Sequence, residues 1–199
     1  MKKKIGFYLG LIIVMASCYP GGADYYEETD VVYTNYDDQF DFKSGNGTYH
    51  IPDKIVKITG DVIEGEDPEF VKEPYNTQML QKMESNMEAL GWTKANDAEN
   101  ANLVLLPAVW TNTTVYYFYD YWCWYYPYYC GWGWGYPSVT SYTTGTLLMT
   151  LVADGDDYIE PTRVWTCAAN GLVSGAYNTT RVTNAIDKAF EQSPYLNIK

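Results

Sequence analysis

Few side chains in this sequence have the type and spacing that catalysis needs. The only histidine, His50, lies in a strand-like stretch between Tyr49 and Ile51, a setting typical of a structural residue rather than a general base. A hydrolase built on Cys167 would need His50, from the far end of the chain, as its base. No GxSxG, HExxH or P-loop pattern occurs in the sequence. The sequence therefore favours a protein that is not an enzyme.

Two clusters of carboxylates are the remaining candidates for chemistry. Paired carboxylates can hydrolyse glycosidic bonds, and carboxylate oxygens are ligands that Ca²⁺ prefers. Both clusters fall in predicted turns, where Asp is favoured by local hydrogen bonds, and the second, DGDDYIE, lacks the ligand order of an EF-hand. We interpret them as solvated turns and expect no metal and no other cofactor. The clusters are Asp37, Asp38 and Asp41, and Asp154, Asp156, Asp157 and Glu160.

The strongest recognition signal is an aromatic segment, residues 116–136, which reads YYFYDYWCWYYPYYCGWGWGY. Fourteen of its 21 residues are Tyr, Trp or Phe, and Asp120 is its one charge. Such rings suit a protein-recognition loop or a sugar-stacking platform, and they also occur at membrane interfaces. Alternatively, the rings pack on the sheet and on one another. The candidate recognition residues are Tyr121, Trp122, Trp124, Tyr128, Trp132, Trp134 and Tyr136.

The start of the chain predicts export and lipidation. A basic stretch, KKK, precedes an apolar run that is too short to span a bilayer, as in a secretory signal peptide over residues 1–17. The sequence MASC that ends at Cys18 resembles the lipobox of bacterial lipoproteins. That resemblance implies cleavage before Cys18 and its thioether lipidation, with palmitate among the acyl chains. The alternative is ordinary cleavage near Ala16, which would leave Cys18 as a free thiol.

The predicted mature chain is strongly acidic. Loss of the three lysines in residues 1–17 takes the formal net charge from −12 to −15. This charge disfavours binding to nucleic acid and adds no attraction to anionic lipid headgroups. Residues 18–30 are Gly-rich and acidic and predict a flexible tether, and residues 31–199 are long enough for one domain. Tyr19, rather than Asp, follows the anchor cysteine, which favours the outer membrane within the cell envelope.

Three cysteines remain in the mature chain after Cys18. Cys123 and Cys130 enclose a short loop with Pro127 at its middle, and exported proteins occupy oxidising compartments, so we expect a disulfide between them. The alternative is that these two and Cys167 are buried thiols. The absence of a CxxC pair disfavours structural zinc.

The elements that would position these residues follow from hydrophobic period and turn chemistry. Apolar residues at three- and four-residue spacing, from Leu80 to Leu90, predict a helix after Pro74 that ends at Gly91. A second helix is predicted after an N-cap at Asn178 or Thr179. The remaining segments predict strands, with 141–154 and 162–175 as an antiparallel pair. The predicted fold class is α+β, with two layers and two helices packed on one face of a mostly antiparallel sheet. The other predicted strands are 31–36, 48–51, 54–58 and the run from residue 102 onward.

This arrangement resembles the DUF4136 family of uncharacterised bacterial lipoproteins over residues 31 to 192. The resemblance rests on YTNYDDQFDF before TYHIP, on LGW at the helix end, and on ANLVLLPAVW before the aromatic segment. It rests also on GTLLMTLVAD followed by TRVWTCAANG. Family membership implies a periplasmic or outer-membrane address and an α+β fold, and it implies no activity.

The sequence as a whole predicts a non-catalytic, lipid-anchored cell-envelope protein. Its expected partners are the membrane, through the lipid, and another envelope component that binds the aromatic segment. A glycan-binding module with an exposed aromatic platform is the alternative, and it would need Trp132 and Trp134 to line an open surface.

Overall fold

The computed structural model describes residues 31–58, 69–110, 145–153, 162–172 and 178–199, which contain seven strands and two helices. None of the helices in these ranges is long and apolar enough to cross a membrane. The strands are β1 (Val31–Tyr36), β2 (Thr48–His50), β3 (Val56–Ile58), β4 (Thr93–Lys94), β5 (Leu103–Trp110), β6 (Thr146–Ala153) and β7 (Thr162–Asn170). The helices are α1 (Tyr75–Ala89) and α2 (Thr179–Glu191), and a short 3-10 turn, Pro194–Leu196, follows α2.

All seven strands belong to one sheet, in the order β1-β7-β6-β5-β2-β4, with β3 paired to β5. The long ladders, β1–β7, β7–β6 and β6–β5, are antiparallel. The short strands β2 and β3 run parallel to β5. Parallel neighbours need a crossover connection, and α1 provides it between β3 and β5. The sheet is therefore mixed, with an antiparallel half built from β1, β7, β6 and β5.

The two central strands, β5 and β6, are buried along their whole length. Their sequences, LVLLPAVW and TLLMTLVA, are nearly continuous apolar runs, which is the pattern of strands covered on both faces. The face that carries Leu105 and Met149 contributes to the larger core, together with the helices. The opposite face carries a smaller cluster that includes Leu106 and Leu148. These strands therefore form a rigid base for the chain segments attached to their ends.

Both helices bury one face in the larger core. Gly91, with φ +103°, follows α1 at the position where a left-handed residue ends a helix. Asn178 caps α2, since its side-chain oxygen accepts a hydrogen bond from the Arg181 backbone N–H at 3.2 Å. Asp187 of α2 joins the helices by accepting from Lys82 Nζ on α1 at 2.9 Å. The buried residues are Asn76, Met79, Leu80, Met83 and Met87 in α1, and Val182, Ala185, Ile186, Ala189 and Phe190 in α2.

The α+β fold class, both helices and the antiparallel pairing of β6 with β7 are confirmed. Two features differ from the sequence-based expectation. The polar stretch after Gly91 contributes a strand, β4, which pairs in parallel with β2 over two residues. Three of the short pairings are parallel, because α1 returns the chain to the starting side of the sheet before β5 begins.

Candidate functional site

The ends of five strands, β1, β7, β6, β5 and β3, lie next to one another at one end of the sheet, which we call the Trp110 end. There Val31, the first residue of β1, pairs with Asn170, the last of β7. The Thr146 hydroxyl donates to Asn170 Oδ1 at 2.9 Å, and Thr146 pairs with Trp110, the last residue of β5. Trp110 in turn pairs with Ile58, the last residue of β3. These five residues therefore form a continuous row of strand neighbours across the sheet, from β1 to β3.

The aromatic segment is attached at the Trp110 end. Trp110 is 1% exposed, and its carbonyl accepts a hydrogen bond from the Gly145 backbone N–H at 2.8 Å. Gly145 has φ +87°, a conformation that favours glycine, and β6 begins at the next residue. Residues 111–144 thus join two strand ends that are hydrogen-bonded neighbours. Since two residues can close such a hairpin, these 34 residues greatly exceed what the topology requires.

The predicted tether enters the domain at the same end. Residues 18–30 lead into Val31, and the acidic stretch 59–68 leaves after Ile58. Three strand spacings of about 4.8 Å separate β1 from β5, so Val31 and Trp110 lie about 14 Å apart across the sheet. The N-terminal connection and the aromatic segment are therefore attached close together on one end of the sheet.

Most of the residues predicted to carry recognition or modification lie outside the described ranges. The predicted leader and tether fall outside them as well. The recognition and modification residues concerned are Cys18, Tyr121, Trp122, Cys123, Trp124, Tyr128, Cys130, Trp132, Trp134 and Tyr136. What the structure fixes is the pair of strand ends to which the aromatic segment is attached.

His50 and Cys167 lie on different parts of the sheet. The Nδ1 atom of His50, on β2, is 3.4 Å from the Ala95 carbonyl oxygen. Cys167, on β7, is buried, and this burial raises the pKa of its thiol to about 12, so the thiolate is not formed near neutral pH. Strands β5 and β6 separate the two residues. The structure therefore does not bring the only histidine and this cysteine together.

The described carboxylate cluster stabilises turns. Asp37 Oδ1 accepts from the Gln39 backbone N–H at 3.0 Å, and Asp41 Oδ1 accepts from the Lys43 backbone N–H at 3.0 Å. These are the local bonds that favour Asp in turns. No group of three or more His, Cys, Asp or Glu side chains suited to a metal occurs in the described ranges. The second predicted cluster, Asp154, Asp156, Asp157 and Glu160, lies outside them.

Two features of the described residues were not identified as notable in the sequence. Tyr49 is fully buried, and burial together with the nearby carboxylates Glu84 and Glu88 raises the pKa of its phenol above the ordinary value. Strand β1 is an edge of the sheet with three exposed large apolar side chains, Val31, Tyr33 and Tyr36. Both features depend on strand order, for which the sequence offers no local signal.

Comparison with known proteins places these observations in context. A family model described as a domain of unknown function (DUF4136) matches residues 32–195. The chain is similar to a DUF4136 family protein (BT2437) from Bacteroides thetaiotaomicron VPI-5482, with 33% identity and a TM-score of 0.64. That alignment covers 85% of this chain and 98% of the other. No curated protein matches the chain.

Two further solved structures align at low identity. A PelC dodecamer from Paraburkholderia phytofirmans is 12% identical, with a TM-score of 0.39, over 85% of this chain and 99% of that chain. A PDZ domain protein from Parabacteroides distasonis ATCC 8503 is 13% identical, with a TM-score of 0.42, over 83% of this chain and 36% of that chain.

Proposed function

Since the chain belongs to the DUF4136 family, whose function is unknown, we propose a function from its own residues. We propose that it is a non-catalytic, lipid-anchored protein of the cell envelope that acts as a binding or assembly module. The aromatic segment, residues 116–136, supplies the recognition surface, and Cys18 carries the lipid. The outer membrane is the proposed location, and the partner is another envelope component.

The observation that carries this proposal is the attachment of the aromatic segment. A loop far longer than its hairpin requires, rooted on a rigid scaffold, is where proteins commonly place binding residues. The scaffold here is β5 and β6, which pair over eight residues and are buried along their length. Tyr and Trp provide large contact areas at a low cost in side-chain entropy, which suits a recognition loop.

The position of the tether supports an envelope partner rather than a soluble ligand. Thirteen residue steps separate Cys18 from Val31, which at about 3.5 Å per residue span at most about 45 Å. The aromatic segment leaves the sheet about 14 Å from Val31. A lipid at Cys18 would therefore keep the segment within reach of components of the same membrane. The acidic domain makes anionic lipid a poor ligand for its surface.

A pair of variants tests the proposal. Trp132→Ala combined with Trp134→Ala removes two of the candidate rings, and Tyr75→Ala removes an exposed ring at the start of α1 instead. Each protein is expressed in its natural host, cross-linked in intact cells and purified, and cross-linked proteins are quantified by mass spectrometry. Because interface hot spots contribute about 2 kcal/mol or more each, we expect at least a tenfold loss of a specific partner in the double variant. The Tyr75→Ala protein should retain that partner.

Glycan-array binding by the same proteins separates protein recognition from the alternative, glycan binding. On a glycan array, a signal from the wild type that disappears in the Trp132→Ala/Trp134→Ala variant would assign the segment to sugar binding instead of protein binding. Equal cross-linking by all three proteins, with no glycan signal from the wild type, would refute recognition by this segment. Circular dichroism of each variant establishes that the domain remains folded.

A further inference from the structure

Within the described part of the chain, the outer edge of strand β1 is unpaired. This is the first strand of the sheet and pairs with β7 on its inner side, and no other described strand pairs with it. The opposite edge, β4, is only two residues long, and its Lys94 forms an ion pair with Glu84 of α1. Short edge strands and lysines are devices by which natural sheets discourage pairing with other chains. One edge of this sheet is thus protected, whereas the other presents six residues in an unbroken register.

The hydrogen-bond pattern shows which backbone groups face outward on β1. The Asp37 backbone N–H donates to the Val164 carbonyl at 3.0 Å, directly after the last residue of β1. Hydrogen-bonded and non-hydrogen-bonded pairs alternate along an antiparallel ladder, so residues 31, 33 and 35 also bond to β7. The N–H and C=O groups of Val32, Thr34 and Tyr36 consequently point away from the sheet.

The side chains of β1 carry none of the usual protection. Its sequence, VVYTNY, has no charge and no proline, and its pairing with β7 has no bulge. Val31 is 57% exposed and Tyr33 is 61% exposed, although Ala168, the partner of Tyr33 on β7, is buried. The strand therefore offers both free backbone groups and uncovered apolar side chains.

We propose that the outer edge of β1 binds an extended segment of another protein as an eighth strand, and that this segment has an uncharged centre flanked by Lys or Arg. Main-chain hydrogen bonds supply the affinity in this mode of recognition. The charge preference follows from the sequence around β1, because Asp30 precedes the strand and Asp37 and Asp38 follow it. Basic residues beyond the end of the added strand that lies next to Tyr36 would be near Asp37 and Asp38.

A second copy of this chain fits the edge poorly. Two copies paired through β1 would bring together two acidic chains, each with Asp37 and Asp38 directly after the paired strand. The whole chain also carries a formal charge of −12. Two molecules of high negative charge repel each other, so the edge selects a basic partner over self-association.

Peptide binding to the lipid-free mature chain, residues 18–199 with Cys18→Ala, tests the proposal. The probe is a capped, fluorescein-labelled peptide with the sequence KKTVTVTVKK, and the matched control replaces its four lysines with glutamates. Fluorescence anisotropy should show at least tenfold tighter binding of the lysine peptide at low salt, with the difference shrinking as salt rises. By NMR, the amides of Val32, Thr34 and Tyr36 should become protected from hydrogen exchange when the peptide binds.

Two protein variants assign the binding to β1. Thr34→Pro removes one outward N–H and leaves the ladder to β7 intact, so the fold should persist while peptide affinity falls at least tenfold. Asp38→Lys, at an exposed position, should reduce the preference for the lysine peptide at least threefold without affecting the fold. The Trp132→Ala/Trp134→Ala variant should bind the peptide as the wild type does, which separates this edge from the aromatic segment.

The proposal fails if the lysine peptide does not bind at millimolar concentration. It also fails if both flanking sequences bind equally at low salt, or if Thr34→Pro stays folded and binds normally. Concentration-dependent dimerisation that Thr34→Pro abolishes would show instead that the edge serves a second copy of this chain. If Thr34→Pro does not fold, the Asp38→Lys comparison and the NMR protection still decide the outcome.

Discussion

The side chain of Asn76 links the start of α1 to the residues that lead into β3. It is 4% exposed at the start of α1, and its Oδ1 accepts from the Ile55 backbone N–H at 2.8 Å. Its Nδ2 donates to the Asp53 carbonyl at 2.9 Å and to Glu73 Oε1 at 3.0 Å. Asn76 thereby holds the residues that lead into β3, which pairs with β5 as far as Trp110.

Replacement of Asn76 by alanine should therefore be costly. Ile55 is fully buried in the core. Asn76→Ala therefore leaves the Ile55 backbone N–H and the Asp53 carbonyl without their hydrogen-bond partner. A buried unsatisfied polar group costs about 1–3 kcal/mol, so we expect a loss of about 2–4 kcal/mol of unfolding free energy. For a chain of this size, about 3 kcal/mol corresponds to a fall in Tm of about 6–12 °C.

Urea unfolding followed by circular dichroism measures this loss. Thr77→Ala is the matched control, since Thr77 is the next residue of the same helix and its hydroxyl bonds to Glu73 at an exposed position. The control should change the unfolding free energy by no more than about 0.5 kcal/mol. If Asn76→Ala lowers the unfolding free energy by less than about 1 kcal/mol with an unchanged m-value, the hydrogen bonds of Asn76 do not hold β3 in place.

The remaining predictions concern the cysteines. Cys18→Ala should leave the protein unprocessed and without a palmitate label in cells, and normal processing would contradict the proposed anchor. Peptide mapping without reduction should find Cys123 joined to Cys130, and alkylation of both in the native protein would exclude that bond. Cys167 should resist a thiol reagent at pH 8 until urea is added, so wild type and Cys167→Ala should react equally when native and differ by one thiol when unfolded. Because the folded pKa of Cys167, about 12, exceeds the ordinary thiol pKa of 9.0, its contribution to stability is present below pH 9 and is lost as the pH rises toward 12.

The elements that the sequence predicts well are those with a strong local period. The methionine and leucine stripe of α1 and the cap residue Asn178 of α2 are local signals, and both helices form where those signals place them. Strands β6 and β7 are neighbours in sequence and in the sheet, so their antiparallel pairing also follows from local order. The α+β class could be predicted because these signals agree with one another.

The pairings that the sequence did not predict are long-range. Strand β2 has three residues, and its partners, Leu103 and Thr93, lie more than forty positions away. Such short strands have no period of their own, so their register depends on tertiary packing rather than on a local signal. The edge position of β1 is equally invisible in the sequence, because VVYTNY has the composition of an interior strand and only the sheet order exposes it.

The two proposed binding features are close enough to serve one partner. Strand β1 is about 20 Å long and begins at the Trp110 end, about 14 Å from the strand ends that carry the aromatic segment. A partner strand that leaves β1 at Val31 would therefore also emerge at the Trp110 end. If one partner uses both features, Thr34→Pro and Trp132→Ala/Trp134→Ala should each weaken its cross-linking, and their fold losses should multiply in the combined variant, as expected for independent contacts. If the features serve different partners, each variant should lose a different protein and the combined variant should lose both, and that result would refute a shared partner.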